Sequence, residues 1–356
     1  MTAVIYAILV VVLYAIWLLT IRAGAAKLSC QRRFSRVAAF PGEEGELIEI
    51  VRNDSPFIVP WLRMECRVAP QVHLGRQDNL YAGEEYYGSL FTLMPYQQIR
   101  RSHPVKFLRR GACDLGRVSI TAGDVLGLVQ LRRKQELSAP VLVYPRLLGD
   151  DAIPVPMSRM LGELTSRRQL QEDPFLVRGI RAYRPGDPVR DIHWPATART
   201  GEAQVRVRDY SARTRLLVVL NTQKEQDQWH DLLEEADEQI VEYGISLAAT
   251  VCVRALRSGL AAGFAANMST DGTIHNTLLL PADGVTQEEA LLSTMARLQI
   301  RRTRDFCFLL HALARQTDLD IVVLSMYESP DMTEAMARLR RAGNQVYFHR
   351  LEGGGV

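Results

Sequence analysis

Residues 2–21, Thr-Ala-Val-Ile-Tyr-Ala-Ile-Leu-Val-Val-Val-Leu-Tyr-Ala-Ile-Trp-Leu-Leu-Thr-Ile, carry no charged side chain. At about 1.5 Å per helical residue, such a run reaches the roughly 30 Å of a bilayer's hydrocarbon core. A helix that is apolar on every side has no face to offer water, so this run has to be buried in protein or in lipid. Tyr14 and Trp17 stand toward one end, where interfacial aromatics gather. Arg22, Lys27, Arg32, Arg33 and Arg36 follow, and the positive-inside rule then holds the downstream chain in the cytoplasm. Ala23-Gly24-Ala25 resembles a signal-peptidase site. However, no side-chain charge precedes the run, and its length exceeds the roughly 7–15 residues of a signal-peptide core. An uncleaved single-pass anchor over residues 1–24 is expected.

The remainder reads as globular. With 47% hydrophobic and 23% charged residues in 356, disorder and a coiled-coil rod are excluded, and the length suits two to three domains. Between residues 45 and 144 the pattern is that of short strands. Met64, Cys66 and Val68 alternate with Arg63, Glu65 and Arg67, and Asn53-Asp54-Ser55-Pro56 is a turn cluster. Further strands are expected near 86–93, 97–108, 116–120 and 140–144, which makes residues 25–149 an antiparallel β-sandwich domain. Residues 150–210 are an Arg-rich connector with little periodicity.

From 211 to 356 strands and helices alternate. Leu216–Leu220 and Ile321–Leu324 are buried-strand runs, and a strand is expected near 260–266 with a hairpin through Asp271-Gly272. Helices are expected over 228–257, 286–299 and 304–316. Another opens at Ser329-Pro330-Asp331 and stops before Gly343, and a last strand follows at 346–348. This alternation predicts a mostly parallel sheet covered on both faces, a three-layer α/β domain.

The net charge of +3 is too small for a nucleic-acid coat, so no nucleic-acid partner is expected. The five cysteines (30, 66, 113, 252, 307) have neither zinc nor disulfide spacing and read as small core residues in a reducing compartment. No phosphate-loop, dinucleotide, nucleophile-elbow or zinc-protease motif is present, so no catalytic residue and no cofactor are predicted.

The one dense constellation lies in the connector. Residues 157–215 hold twelve Arg, no Lys and seven acids. Within them, Arg181, Tyr183, Arg184, Pro185-Gly186-Asp187, Arg190, Asp191, Ile192, Trp194 and Ala198-Arg199 form a spaced pattern around a strong turn signal. That pattern resembles the signature of the DUF58 family, bacterial proteins of unassigned biochemical function. Arg109-Arg110-Gly111, Asp124 through Leu128 and Val143-Tyr144-Pro145 resemble further family segments, with Val125 and Leu126 in place of the usual Pro-Phe.

The resemblance implies an immunoglobulin-like sandwich and a C-terminal von Willebrand factor A-like domain. It also implies an address at the bacterial inner membrane through residues 2–21, and partnership with a MoxR-type AAA+ ATPase. The family usually has two N-terminal membrane helices, whereas one is visible here. In metal-binding A domains the first strand runs into Asp-x-Ser-x-Ser. Here Asn221, Gln223 and Glu225 stand at those positions with Lys224 between them, so the site is degenerate and no metal is expected.

Three roles are open to the Arg/Asp cluster. It is an internal latch pinning sandwich to α/β domain, with Tyr183 and Trp194 packed beneath it, or a docking surface for a partner protein, or an anion site. The first is the plainest and is the expectation. His193 beside Asp191 suggests acid–base chemistry, but no nucleophile with a motif lies nearby. The function expected is a membrane-anchored scaffold or adaptor. The alternative is an enzyme or phosphate-binding module that uses the Arg-rich connector in an envelope-related process.

Overall fold

The structure, a computed structural model, describes residues 2–352 except 76–78, 82–83, 125–128, 171, 211–213, 227, 229–232, 271, 273–274 and 302–303. The Val125–Leu128 segment and Asp271 of the expected hairpin therefore lie outside the described residues. The chain divides into two compact units, Met1–Arg146 and Leu147–Val356.

In the first unit, helix α1 (Thr2–Ala26) carries the apolar run, and its Val4–Ala26 stretch is long and apolar enough to cross a membrane. Its side chains are exposed along most of its length, but Gly24 is buried. A Cβ there would come 3.5 Å from Val59, so the last turn sits close against the strand that begins at Val59.

Twelve described strands follow, numbered in chain order. One sheet runs β1 (Leu28–Phe34), β3 (Glu44–Asn53), β8 (Gln98–Phe107), β5 (Val72–Leu74). A second runs β11 (Gln130–Glu136), β10 (Arg117–Gly123), β4 (Val59–Arg67), β7 (Glu84–Leu93), β6 (Asn79–Tyr81). A third joins β2 (Ala38–Ala39), β12 (Pro140–Val143) and β9 (Gly111–Asp114). The alternation read in the sequence holds: Met64 and Cys66 of β4 are buried, while Arg63 and Arg67 are exposed. Residues from all three sheets, among them Leu47, Leu62, Phe91, Phe107 and Val143, share one apolar core.

That core contains charge. Period-2 phase turns Arg32 of β1 inward with Cys30 and Phe34, and Glu49 of β3 inward with Leu47 and Val51. Arg32 Nε lies 3.0 Å from Glu49 Oε1 without hydrogen-bond alignment, and both side chains are 1% exposed. Glu49 Oε2 accepts a 2.6 Å bond from the Ser89 hydroxyl and lies 2.9 Å from His103 Nε2, whose Nδ1 is 2.5 Å from the Tyr87 hydroxyl. Arg32 also donates to Cys66 Sγ. Arg32, Glu49 and His103 come from the first sheet, and Cys66, Tyr87 and Ser89 from the second, so the network ties the two sheets together.

The second unit takes in the connector, whose described residues form helices and a strand pair despite their weak periodicity. Helix α2 (Val155–Leu170) is followed by an antiparallel pair, β13 (Glu172–Ala182) and β14 (Gln204–Tyr210), with helix α3 (Trp194–Thr200) between them. Beyond it a five-stranded sheet runs β17 (Thr277–Ala282), β16 (Ala261–Ala266), β15 (Arg215–Leu220), β18 (Asp320–Ser325), β19 (Gln345–Arg350). All its pairings are parallel except that of the edge strand β17. Central β15 is buried on both faces, as an uninterrupted Leu/Val run requires.

Four helices complete the unit: α4 (Glu235–Arg257), α5 (Val285–Arg297), α6 (Phe306–Leu313) and α7 (Pro330–Arg341). Helix α4 begins seven residues later than the apolar spacing suggests, and 229–232 lie outside the described residues. Gly244 lets it approach the sheet, since a Cβ there would meet Leu220 and Leu351 at 2.9 and 2.8 Å. Helices α6 and α7 build a second core cluster with Leu217, Val219, Ile321 and Val323. Ser329 caps α7, Pro330 sits in its first turn and Gly343 follows at φ 91°, as the sequence indicated.

Candidate functional site

The signature occupies the excursion between β13 and β14, and its chemistry starts at the turn. Pro185 and Gly186 are the central residues of a four-residue turn closed by the Asp187 N–H on the Arg184 carbonyl at 3.0 Å, and Gly186 has φ 107°. Pro supplies the fixed φ of the first central position and Gly the positive φ of the second. The Asp187 carboxylate then locks the turn to its strand. It accepts both Arg181 guanidinium N–H groups at 2.7 Å as a bidentate fork, and the Arg184 backbone N–H at 2.8 Å. Those hydrogen bonds, led by the one from Arg181, hold the Asp187 carboxyl down to about 2.

The pair is local, six residues apart, and solvent-accessible. It is therefore a clip within the hairpin, with Arg181 41% and Asp187 16% exposed.

Tyr183 and Trp194 do not pack beneath the arginines. Trp194 is 67% exposed and Val189 68%, with Tyr183 and Ile180 also outward. Trp194 opens the short helix α3, whose N-cap is His193 and none of whose residues is buried. Arg184, Arg190 and Arg199 of the same excursion are also exposed, and none has a carboxylate within ion-pair distance among the described residues. Asp191 is buried instead, within a tight turn at Val189–Asp191.

His193 has a structural use. Its Nδ1 accepts the Ala196 backbone N–H at 3.1 Å, which satisfies an orphan donor of α3.

A second candidate lies at the carboxyl ends of β15, β16 and β18, where the strand order reverses and open α/β sheets place ligands. Asn221 and Gln223 point inward there, but Glu225 is exposed and Lys224 Nζ pairs with Asp237 at 2.9 Å. Two residues that the sequence reading passed over complete the arrangement. Asn267, beyond β16, accepts from the Thr222 N–H at 2.9 Å and the Thr222 hydroxyl at 3.0 Å, and donates to Asn221 Oδ1 at 3.1 Å. Ser325, ending β18, accepts from Asn221 Nδ2 at 3.0 Å. Gln223 Oε1 accepts the Phe306 N–H at 2.8 Å.

Neutral amides and hydroxyls thus satisfy one another with no carboxylate among them. A hard divalent cation needs several oxygens and a favourable charge count, so this donor set does not fit one.

The described cysteines are free thiols, all buried except half-buried Cys307, and burial pushes Cys30 up to about 11 and Cys113 to about 12. Thiols held protonated in this way are poor nucleophiles.

Among solved structures the chain is similar to the CARDB domain of the PF1109 protein from Pyrococcus furiosus, at 15% identity over 33% of this chain and 91% of that one, TM-score 0.23. It is also similar to AvmM, which catalyses a macrocyclization in alchivemycin A biosynthesis, at 13% identity over 35% and 93%, TM-score 0.22. A third likeness is to the Pseudomonas fluorescens alkylpurine DNA glycosylase AlkC, at 11% identity over 33% and 30%, TM-score 0.20. At these scores the likenesses carry no inference about function. No curated protein matches the chain. The profile described as "Protein of unknown function DUF58" matches residues 179–342, a span that opens at the Arg181–Asp187 clip and includes both candidate sites. Over those residues the chain is a member of the DUF58 family.

Proposed function

We propose that this protein is a membrane-anchored adaptor whose signature hairpin docks a partner protein. The observation that carries the reading is the exposure of Trp194, Val189 and Tyr183 in one excursion of the chain that also exposes Arg184, Arg190 and Arg199, which form no ion pair among the described residues. Trp, Tyr and Arg are the residue types that dominate binding hot spots, and surplus guanidiniums favour an acidic surface opposite. The Arg181–Asp187 clip gives the loop one preformed shape, which reduces the ordering cost of association.

The family resemblance supplies the partner class, a MoxR-type AAA+ ATPase. It also supplies the A-domain-like reading of the α/β unit, which the strand order with β15 at its centre supports. An immunoglobulin-like sandwich and an inner-membrane address belong to the same proposal.

Capture of the full-length, C-terminally tagged chain from membranes tests it. Trp194→Ala should weaken co-purification of the ATPase about 30-fold, the ~2 kcal/mol of a hot spot. Arg190→Ala should weaken it in the same direction, and both variants should melt like wild type. Undiminished capture would remove the docking role. A large drop in melting temperature would return the cluster to a structural one, and loss of phosphate binding instead would favour the anion-site alternative.

Orientation is tested separately. An alkaline phosphatase fused to the C-terminus, active only after export, should be inactive in cells that make the fused chain in quantity, because Arg22 and Lys27 follow the uncharged run 2–21. High activity would reverse the topology.

A further inference from the structure

The last turn of α1 forms one wall of a cavity of about 300 Å³ against β10 and β11. Its lining includes Arg22 and Arg133, over a floor that includes Leu28, Ile120 and Leu131. Arg133 stands opposite Ile120 in the strand pairing and is held by Gln135 at 3.0 Å and the Leu28 carbonyl at 3.4 Å, whereas the Arg132 guanidinium bonds Ser119 on the other face of the sheet. No carboxylate pairs with Arg22 or Arg133 among the described residues. Their charge is uncompensated beside an apolar floor, which is a poor arrangement for water alone and a good one for an amphiphilic anion. Arg forks match phosphate oxygens bidentately, and a basic pocket at the end of a membrane helix suits an acidic lipid head group.

A second observation comes from the loops beside the same helix end. Loop 54–58 abuts α1, with the Phe57 Cβ 3.8 Å from where a Gly24 Cβ would stand. It is laced to loop 94–97 through Asn53, whose amide donates to the Phe57 carbonyl at 2.8 Å and the Met94 carbonyl at 3.0 Å. The two loops carry Phe57, Ile58, Met94 and Tyr96 outward, four large apolar groups in the open. Aromatic and apolar tips next to a membrane helix suit the interfacial zone of the bilayer.

We infer that this cavity binds one anionic phospholipid of the leaflet at the C-terminal end of α1, its phosphate on Arg22 and Arg133 and its glycerol-acyl part on the apolar floor. The inference rests on the reading that α1 spans the bilayer. The test is native mass spectrometry of the full-length chain in detergent with equal amounts of phosphatidylglycerol and phosphatidylcholine. Wild type should retain phosphatidylglycerol roughly tenfold or more over phosphatidylcholine, and Arg22→Gln combined with Arg133→Gln should bring that ratio near one. Both side chains are exposed, so the melting temperature should stay put.

Equal retention by wild type, or an undiminished preference in the double variant, overturns the inference. So does complete displacement of the lipid by millimolar inorganic phosphate, which would mark a site for soluble anions. Alkaline carbonate extraction of the membranes reports on the span independently. A chain that extracts yet keeps the lipid preference removes the spanning reading and leaves the pocket standing.

Discussion

Glu49→Gln should destabilise the full-length chain by about 3–5 kcal/mol, because it leaves Arg32 charged and buried with no counter-ion. The carboxylate is the centre of the network: Arg32, His103 and Ser89 all converge on it. Thermal melting in detergent reads the effect, and the sign of its pH dependence follows from the carboxyl's environment. Burial raises it, but the His103 hydrogen bond, the Arg32 charge and the Ser89 hydrogen bond together hold it below the ordinary carboxylate range.

A folded value below the unfolded one, about 4.3, means that ionised Glu49 stabilises above that pH. The contribution is lost as pH falls through the folded value. Wild type and Glu49→Gln should therefore differ most near neutrality and converge on acidification below about pH 4. Replacing the pair together, Arg32→Met with Glu49→Leu, should recover most of the loss, since an apolar pair avoids the desolvation of both charges. A melting difference that is absent at pH 7, or constant down to pH 3, would sink this account.

Asn267→Ala is expected to cost about 2–4 kcal/mol, from at least two stranded buried groups at roughly 1–3 kcal/mol each. The Thr222 N–H and hydroxyl lose their acceptor, and Asn221 Oδ1 loses a donor. Asn267→Asp keeps the acceptor but sets a charge against the oxygens of Asn221 and Gln223, so it should also destabilise, and less at acid pH where it is neutral. Urea denaturation of both variants in the full-length chain checks this. An Asn267→Ala midpoint within experimental error of wild type would mean the amides do not bind the sheet's loops together.

The sequence by itself determined the elements whose cause is local. An uncharged run of bilayer length becomes helix α1, and Leu216–Leu220 becomes a strand buried on both sides. Ser329-Pro330 starts a helix that Gly343 ends, and Pro185-Gly186-Asp187 makes a turn. In each of these, backbone sterics or hydropathy over a few residues suffice.

Partnerships made across the fold were settled by tertiary structure. Arg32 and Glu49 stand in phase with inward-facing neighbours, a legible sign that charge enters the core, but their meeting with His103 and Ser89 depends on which strands pair and which sheets stack. Asn267 and Ser325 carry no motif, and only the parallel register of β15 between β16 and β18 brings them to Asn221. Trp194, expected beneath the arginines, stands exposed on the short helix that it opens, none of whose residues is buried. Periodicity fixes the side of its own element on which a residue lies. What stands opposite that side is set by the free energy of the whole packing, and no window of sequence contains it.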